Sequence, residues 1–175
     1  MDKVRSLSLV ALIVLVPYIF AYPYFALDFQ FRMAFLDSGL WAGHRWVEPG
    51  TQIATITKVV YFFIWCVPTA LGVGALLTAI MIAICFRSGL IFDEKVALLI
   101  MRLGWFTAGS AAFTIAAGCV TPMIISWHNA NEVLGLRFWV SVPNAGLVLC
   151  GLAFLLMGAV LREGIALAKE NEAFV

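Results

Sequence analysis

Charged residues are missing from four long stretches of this chain, residues 7–27, 59–86, 103–126 and 138–161. Only 12% of the 175 residues are charged, about half of what a soluble domain carries. Each stretch has the roughly 20 apolar residues that are needed to cross a bilayer. The shortage of charge argues against a soluble domain and predicts an all-α membrane protein with four transmembrane helices.

The sequence also lacks the common motifs of catalytic and nucleotide-binding sites. It contains no P-loop, GxSxG, HExxH or paired-carboxylate pattern. Its four cysteines are not clustered, which argues against a zinc site or a disulfide framework and favours a packing role. We therefore expect no enzymatic activity, no metal and no cofactor, and the net charge of +1 gives no reason to expect direct binding of nucleic acid.

The charge-free stretches predict a single membrane domain, residues 1–175, folded as a four-helix antiparallel bundle. The helices are expected at about 6–27, 58–87, 94–126 and 138–169, with outer loops at 28–57 and 127–137 and an inner loop at 88–93. No charged residue is expected deep inside a helix, which argues against a proton- or ion-coupled pump.

Basic residues are distributed unevenly over the connecting segments. Seven fall on the side of the termini and four on the other side. Because cytoplasmic segments carry the excess of Lys and Arg, both termini are expected in the cytoplasm. The two groups are Lys3, Arg5, Arg87, Lys95, Arg102, Arg162 and Lys169 on the first side, and Arg32, Arg45, Lys58 and Arg137 on the second.

The long outer loop has two interpretations. Residues 28–35 alternate apolar and mostly polar side chains and residues 51–57 are rich in β-branched ones, which predicts two strands and a small extended cap. A competing prediction is an interfacial helix at 29–42.

Both histidines, His44 and His128, are expected on this outer side and are the candidates for a haem or metal site. Tryptophans flank them and no ligand motif surrounds them, so we interpret them as interfacial residues.

Small residues repeat every four positions within three of the predicted helices. Such repeats allow close helix contact in a membrane, and we expect them to serve packing within one chain, with homo-oligomers as the alternative. They are Ala70, Gly74, Ala75, Ala79 and Ala83 in the second helix, Ala108, Ala112 and Ala116 in the third, and Gly146 and Cys150 in the fourth.

The inner loop contains signals that end and start helices. Gly89 predicts the C-terminal end of the second helix, and Asp93 predicts the N-cap of the third. The apolar Ile91 and Phe92 are expected to tuck under the bundle, and Arg102 is expected near the membrane entry of the third helix. Ion pairs are expected to hold the C-terminal tail, with Arg102 or Arg87 facing Glu163 or Glu94.

These segments carry a family resemblance. Residues 89–92, 98–104 and 161–175 resemble a bacterial family of four-helix membrane proteins known as domain of unknown function 2975, and the similarity covers roughly residues 80–175. The resemblance implies a bacterial inner-membrane location and, by analogy, a cytoplasmic regulator as partner; the outer loop departs most from the family. The signature residues on the cytoplasmic side are Gly89, Phe92, Asp93, Arg102, Arg162, Glu163, Glu170 and Asn171.

Together these features predict a protein that acts by binding, as a sensor or regulator or as an accessory subunit of a membrane complex. The lipid bilayer and a protein in the membrane or the cytoplasm are the expected partners. The first alternative is transport of a small solute or lipid, which the helix prolines suggest. A second is a toxin-immunity protein, which the long aromatic outer loop suggests.

Overall fold

The structure is a computed structural model that describes residues 2–36, 52–129, 134–138 and 140–173. These residues form four long helices, and no described residue lies in a strand. The helices are α1 (Asp2–Phe31), α2 (Thr55–Arg87), α3 (Glu94–Ser126) and α4 (Val142–Ala173), and a π-helical segment, Arg32–Leu36, continues α1. The predicted all-helical class with four long helices is confirmed.

The strand predicted at 28–35 is wrong, because these residues are helical. Asp28 and Arg32 form an ion pair of 2.8 Å at the i,i+4 spacing of a helix. Phe31 and Phe35 share the same spacing, and their ring centroids lie 5.2 Å apart. Both rings also pack against Phe62 of α2, so the apolar residues of this segment follow a helical stripe onto α2 rather than one face of a strand.

The second predicted strand, at 51–57, is wrong over its described residues. Residues 52–54 have no regular structure, and Thr55 begins α2. Residues 37–51, with the turns of the expected cap and the rest of the competing helix at 29–42, lie outside the described residues.

The start of α4 also differs from the prediction, since the helix begins at Val142 instead of residue 138. The backbone N–H of Asn144 donates to Ser141 Oγ at 3.4 Å, which is the contact of an N-cap. Pro143 falls in the first turn, where a missing N–H costs no helix hydrogen bond. The capping serine and the proline together fix the beginning of the helix.

Each helix packs antiparallel to its neighbour in the sequence. Tyr22 of α1 lies over Gly72 of α2, whereas Phe31, further along α1, meets Phe62. The Ser110 hydroxyl of α3 donates to the backbone carbonyl of Pro68 in α2 at 2.9 Å. Among the described residues α1 contacts α2 but not α3 or α4, and α4 contacts only α3. The four helices therefore form an open bundle, arranged as a row.

Glycines let α3 and α4 approach more closely than the other pairs. A Cβ atom on Gly151 would lie 2.6 Å from the backbone nitrogen of Ala108, and one on Gly104 would lie 2.7 Å from the Gly151 carbonyl oxygen. One on Gly158 would lie 2.9 Å from the Ala97 carbonyl oxygen. Contact between the two backbones is the usual role of small residues in membrane helices.

The faces predicted for this contact are partly wrong. In α4, Gly146 has open space around it and Cys150 is exposed, while Gly151 carries the close contact. In α3, Ala112 and Ala116 are exposed. A spacing of four fits several faces of each helix, and only the register between the helices selects one of them.

All four helices are long and apolar enough to span a membrane, which indicates an integral membrane protein. α2 has 33 residues and is about 50 Å long, more than the roughly 30 Å of hydrocarbon in a bilayer. The antiparallel row brings the start of α1, the turn at 88–93 and the end of α4 to one end, called the termini end below. The opposite end is called the loop end.

Candidate binding site at the termini end

A left-handed glycine ends α2. Gly89 has a φ of 85°, a conformation that residues with a Cβ rarely adopt. The N–H of Leu90 donates to the carbonyl of Cys85 at 3.0 Å, and the N–H of Gly89 donates to the carbonyl of Phe86 at 3.2 Å. This pair of bonds is a Schellman motif, which satisfies the last carbonyls of a helix. The role predicted for Gly89 is confirmed.

A carboxylate starts α3 four residues later. Asp93 Oδ1 accepts a hydrogen bond from the N–H of Lys95 at 2.8 Å, so the predicted N-cap is confirmed. Glu94 follows in the first turn, where the helix dipole favours a negative charge. The glycine and the capping aspartate together make a tight turn whose side chains have defined positions.

The turn leaves an apolar side chain exposed. The prediction that Phe92 tucks under the bundle is wrong, because this side chain is 80% exposed. Its neighbour Ile91 is half-buried. Phe92 lies on the side of the turn that faces the end of α4.

A groove lies between this turn and the last turns of α4. Its volume is about 610 Å³, compared with about 400 Å³ for a neighbouring cavity that residues 89–93 line. Six of the seven residues that line the groove have no polar side chain, so the groove suits apolar groups. The lining residues are Phe92, Val160, Leu161, Gly164, Ile165, Ala168 and Lys169.

One exposed ion pair lies beside the groove. Lys169 Nζ is 3.7 Å from Glu94 Oε2, and both side chains are more than half exposed. The predicted pairs with Arg87 or Arg102 do not form among the described residues, since α4 runs one further turn past the start of α3 and brings Lys169 to Glu94 instead. An exposed pair of this kind contributes little to stability.

The apolar residues of the α4 tail do not all line the groove. Ile165 and Ala168 line the groove, whereas Leu167 does not line it and is 59% exposed. Of the signature residues, Phe92 is the one that lines the groove, with Gly89 and Asp93 in the turn beside it. Arg162, Glu163, Glu170 and Asn171 are exposed on the tail, while Arg102 lies about two turns along α3 from Glu94.

At the loop end, a hydrogen bond between side chains joins two helices. Thr57 Oγ1 and His128 Nε2 share a hydrogen bond of 2.7 Å, which joins the start of α2 to the end of α3. His44, the other candidate for a haem or metal site, lies outside the described residues. No group of three or more metal-ligating side chains occurs in the described part of the chain.

The segment after α3 folds back along that helix. The N–H of Arg137 donates to the Cys119 carbonyl at 3.2 Å, and the N–H of Leu134 donates to Ser126 Oγ at 2.8 Å. Pro122 lies three residues after Cys119 and interrupts the helix ladder nearby. The hydrogen bond from Arg137 thus reaches a carbonyl in the turn of α3 that precedes the proline. The sequence did not indicate this contact.

Neither protein-family models, nor curated proteins, nor solved structures give a match to this chain.

Proposed function

We propose that this protein is a binding protein of the bacterial cytoplasmic membrane, a sensor or regulator or an accessory subunit of a membrane complex. The observation that carries the proposal is the exposed Phe92 beside an apolar groove of about 610 Å³. An exposed apolar surface with a few polar groups at its edge is typical of a place where another molecule binds.

The groove lies at the boundary between apolar and charged sequence. The charge-free run of α4 ends at Leu161, and the groove extends to Lys169, about 12 Å further along the helix. The partner that fits is therefore a protein segment with apolar side chains at the membrane surface.

The basic residues support an orientation with this end in the cytoplasm. Seven of the eleven Lys and Arg residues lie in segments at the termini end, and cytoplasmic segments carry such an excess. The resemblance to domain of unknown function 2975 points the same way, because it implies a cytoplasmic regulator as partner.

Photo-crosslinking in membranes of the native host tests the proposal. A photoreactive amino acid in place of Phe92 is expected to give a discrete adduct with a protein. Ile165→Glu replaces an apolar side chain of the groove with a carboxylate and is expected to reduce this adduct by about tenfold, since the carboxylate must lose its water when an apolar partner binds.

Leu167→Glu is the matched control, because it adds the same charge two residues away, at an exposed position that does not line the groove. It should leave the adduct unchanged. An adduct that survives Ile165→Glu, or a crosslink to phospholipid alone, would contradict the proposed partner protein.

A further inference from the structure

Two buried polar atoms have no hydrogen-bond partner in the described part of the chain. One is the amide oxygen Oε1 of Gln30, in the last turn of α1, and the other is the indole nitrogen Nε1 of Trp65, about three turns into α2. The two atoms do not bond each other. Buried polar groups almost always have a partner, because burial without one loses the hydrogen bonds that water would provide.

The two side chains lie at the same level of the α1–α2 pair. Tyr22 of α1 lies over Gly72 of α2, and the two helices run antiparallel. Eight residues further along α1 is Gln30, and eight residues back along α2 is Ile64, the neighbour of Trp65. Because one residue adds only about 1.5 Å along the axis of a helix, Gln30 and Trp65 are at nearly equal heights.

The two side chains also face the same apolar cluster. Trp65 packs against the cluster formed by the buried residues Ala34, Tyr61 and Ile125. Ala34 follows Gln30 by four residues, which is about one helical turn, so both lie on the side of α1 that meets this cluster. Gln30 and Trp65 are therefore on facing helices, at one level and beside one cluster.

The chemistry of the two atoms defines which group can join them. An amide oxygen only accepts hydrogen bonds, and an indole N–H only donates one. A group between them must therefore donate to Gln30 and accept from Trp65. An ammonium group cannot accept and a carboxylate cannot donate, so neither ion satisfies both atoms. A hydroxyl group does both through a single oxygen, which suits a place where both polar atoms are buried.

We infer that Gln30 Oε1 and Trp65 Nε1 bind one hydroxyl group between α1 and α2, that of a water molecule or of an alcohol. Buried waters occupy polar places where they reach two or more hydrogen-bonding atoms. A bridge of this kind is nearly as favourable as a direct hydrogen bond, so the bound hydroxyl links α1 to α2. The site is separate from the groove and does not depend on the proposed function.

Nuclear magnetic resonance of the full chain in dodecylphosphocholine, a detergent without hydroxyl groups, tests the site. The tryptophans carry ¹⁵N, and Trp65→Phe identifies the Trp65 indole signal. A rotating-frame Overhauser cross-peak, whose sign separates contact from chemical exchange, is expected between this N–H and water. Gln30→Met should abolish the cross-peak and move the indole proton to higher field, because one polar atom alone does not hold a water.

Two controls separate this site from its surroundings. Gln52→Met makes the same substitution at the other glutamine, before α2 begins, and should leave the Trp65 signal unchanged. Tyr61→Phe should retain the cross-peak, although the ring centroid of Tyr61 lies 6.3 Å from that of Trp65. Loss of the cross-peak in Tyr61→Phe would assign it to the Tyr61 hydroxyl, and a Trp65 signal that Gln30→Met leaves unchanged would equally overturn the inference.

The unchanged protein gives a second test and identifies the source of the hydroxyl group. 1-Butanol is compared with its methyl ether, which can accept from Trp65 but has no proton for Gln30. A shift of the Trp65 signal with butanol alone identifies an alcohol as an occupant, whereas a water cross-peak that butanol leaves unchanged identifies water. Equal shifts with both compounds, or no contact with any hydroxyl group, would overturn the inference.

Discussion

The α3–α4 pair and the α1–α2 pair are both antiparallel contacts between apolar helices, but different atoms make them. Between α3 and α4 the backbones touch, with Gly151 against Ala108. Between α1 and α2 aromatic rings fill the space, such as Tyr22 over Gly72 and Phe31 beside Phe62. Contacts through side chains can adjust by rotation, whereas contacts through the backbone cannot.

This difference corresponds to how firmly each helix is held. α3 has eleven buried residues, and among the described residues of α1 only Ser8 is buried. In a membrane, where lipid is as apolar as the side chains, close packing is what holds helices together. We therefore expect α2, α3 and α4 to form the stable unit and α1 to be the helix that detaches most easily.

The largest expected effect is that of Gly151→Leu. The added side chain would meet backbone atoms of Ala108, so α3 and α4 must separate. The free energy of unfolding, measured by SDS titration with circular dichroism, should fall by about 3 kcal/mol. Gly146→Leu, where nothing lies within 4 Å, should change it little. Equal losses in the two variants would contradict the backbone contact.

Gly72→Leu should lower the free energy of unfolding by less than Gly151→Leu does. Its side chain would meet the ring of Tyr22, which can rotate towards lipid, so the loss should be about 1 kcal/mol. Tyr22→Ala in the same molecule should recover at least half of that loss in the same SDS titration. If Gly72→Leu proves as costly as Gly151→Leu, the distinction between the two pairs is lost.

The smallest expected effect concerns the contact between α2 and α3. Ser110→Ala removes the hydrogen bond from α3 to the Pro68 carbonyl of α2, and the free energy of unfolding should fall by about 0.6 kcal/mol. Thr114→Val is the control, because the Thr114 hydroxyl bonds within its own helix. A larger loss at Thr114 would mean that the hydrogen bond between helices is not what stabilises this pair.

Local signals in the sequence were sufficient for the number of long helices and for the turn at the termini end. Charge-free stretches predict spanning helices because lipid cannot satisfy a charge or a free backbone group. Gly89 and Asp93 act within their own turns, so their roles as caps follow from their positions in the chain. The strand predicted at 28–35 failed because its apolar residues also fit a helical stripe, and the rings of α2 select the helix.

The candidate site was predictable only in part. The sequence singled out Phe92 and the tail of α4, but it placed Phe92 under the bundle, whereas this side chain is exposed. It also paired the tail with Arg87 or Arg102, whereas Lys169 meets Glu94. Each error concerns the position of one helix relative to another, which a linear pattern does not specify.

The amino-acid sequence is enough to establish a four-helix membrane protein whose helices pair through small residues. Three features follow only from the packing of the helices: which small residues touch, that the helices form an open row, and that a groove lies between the turn at 88–93 and the end of α4. The physical reason is that hydrophobicity and capping act within a few residues along the chain. Register depends on contacts between helices, and side chains far apart in the sequence set those contacts.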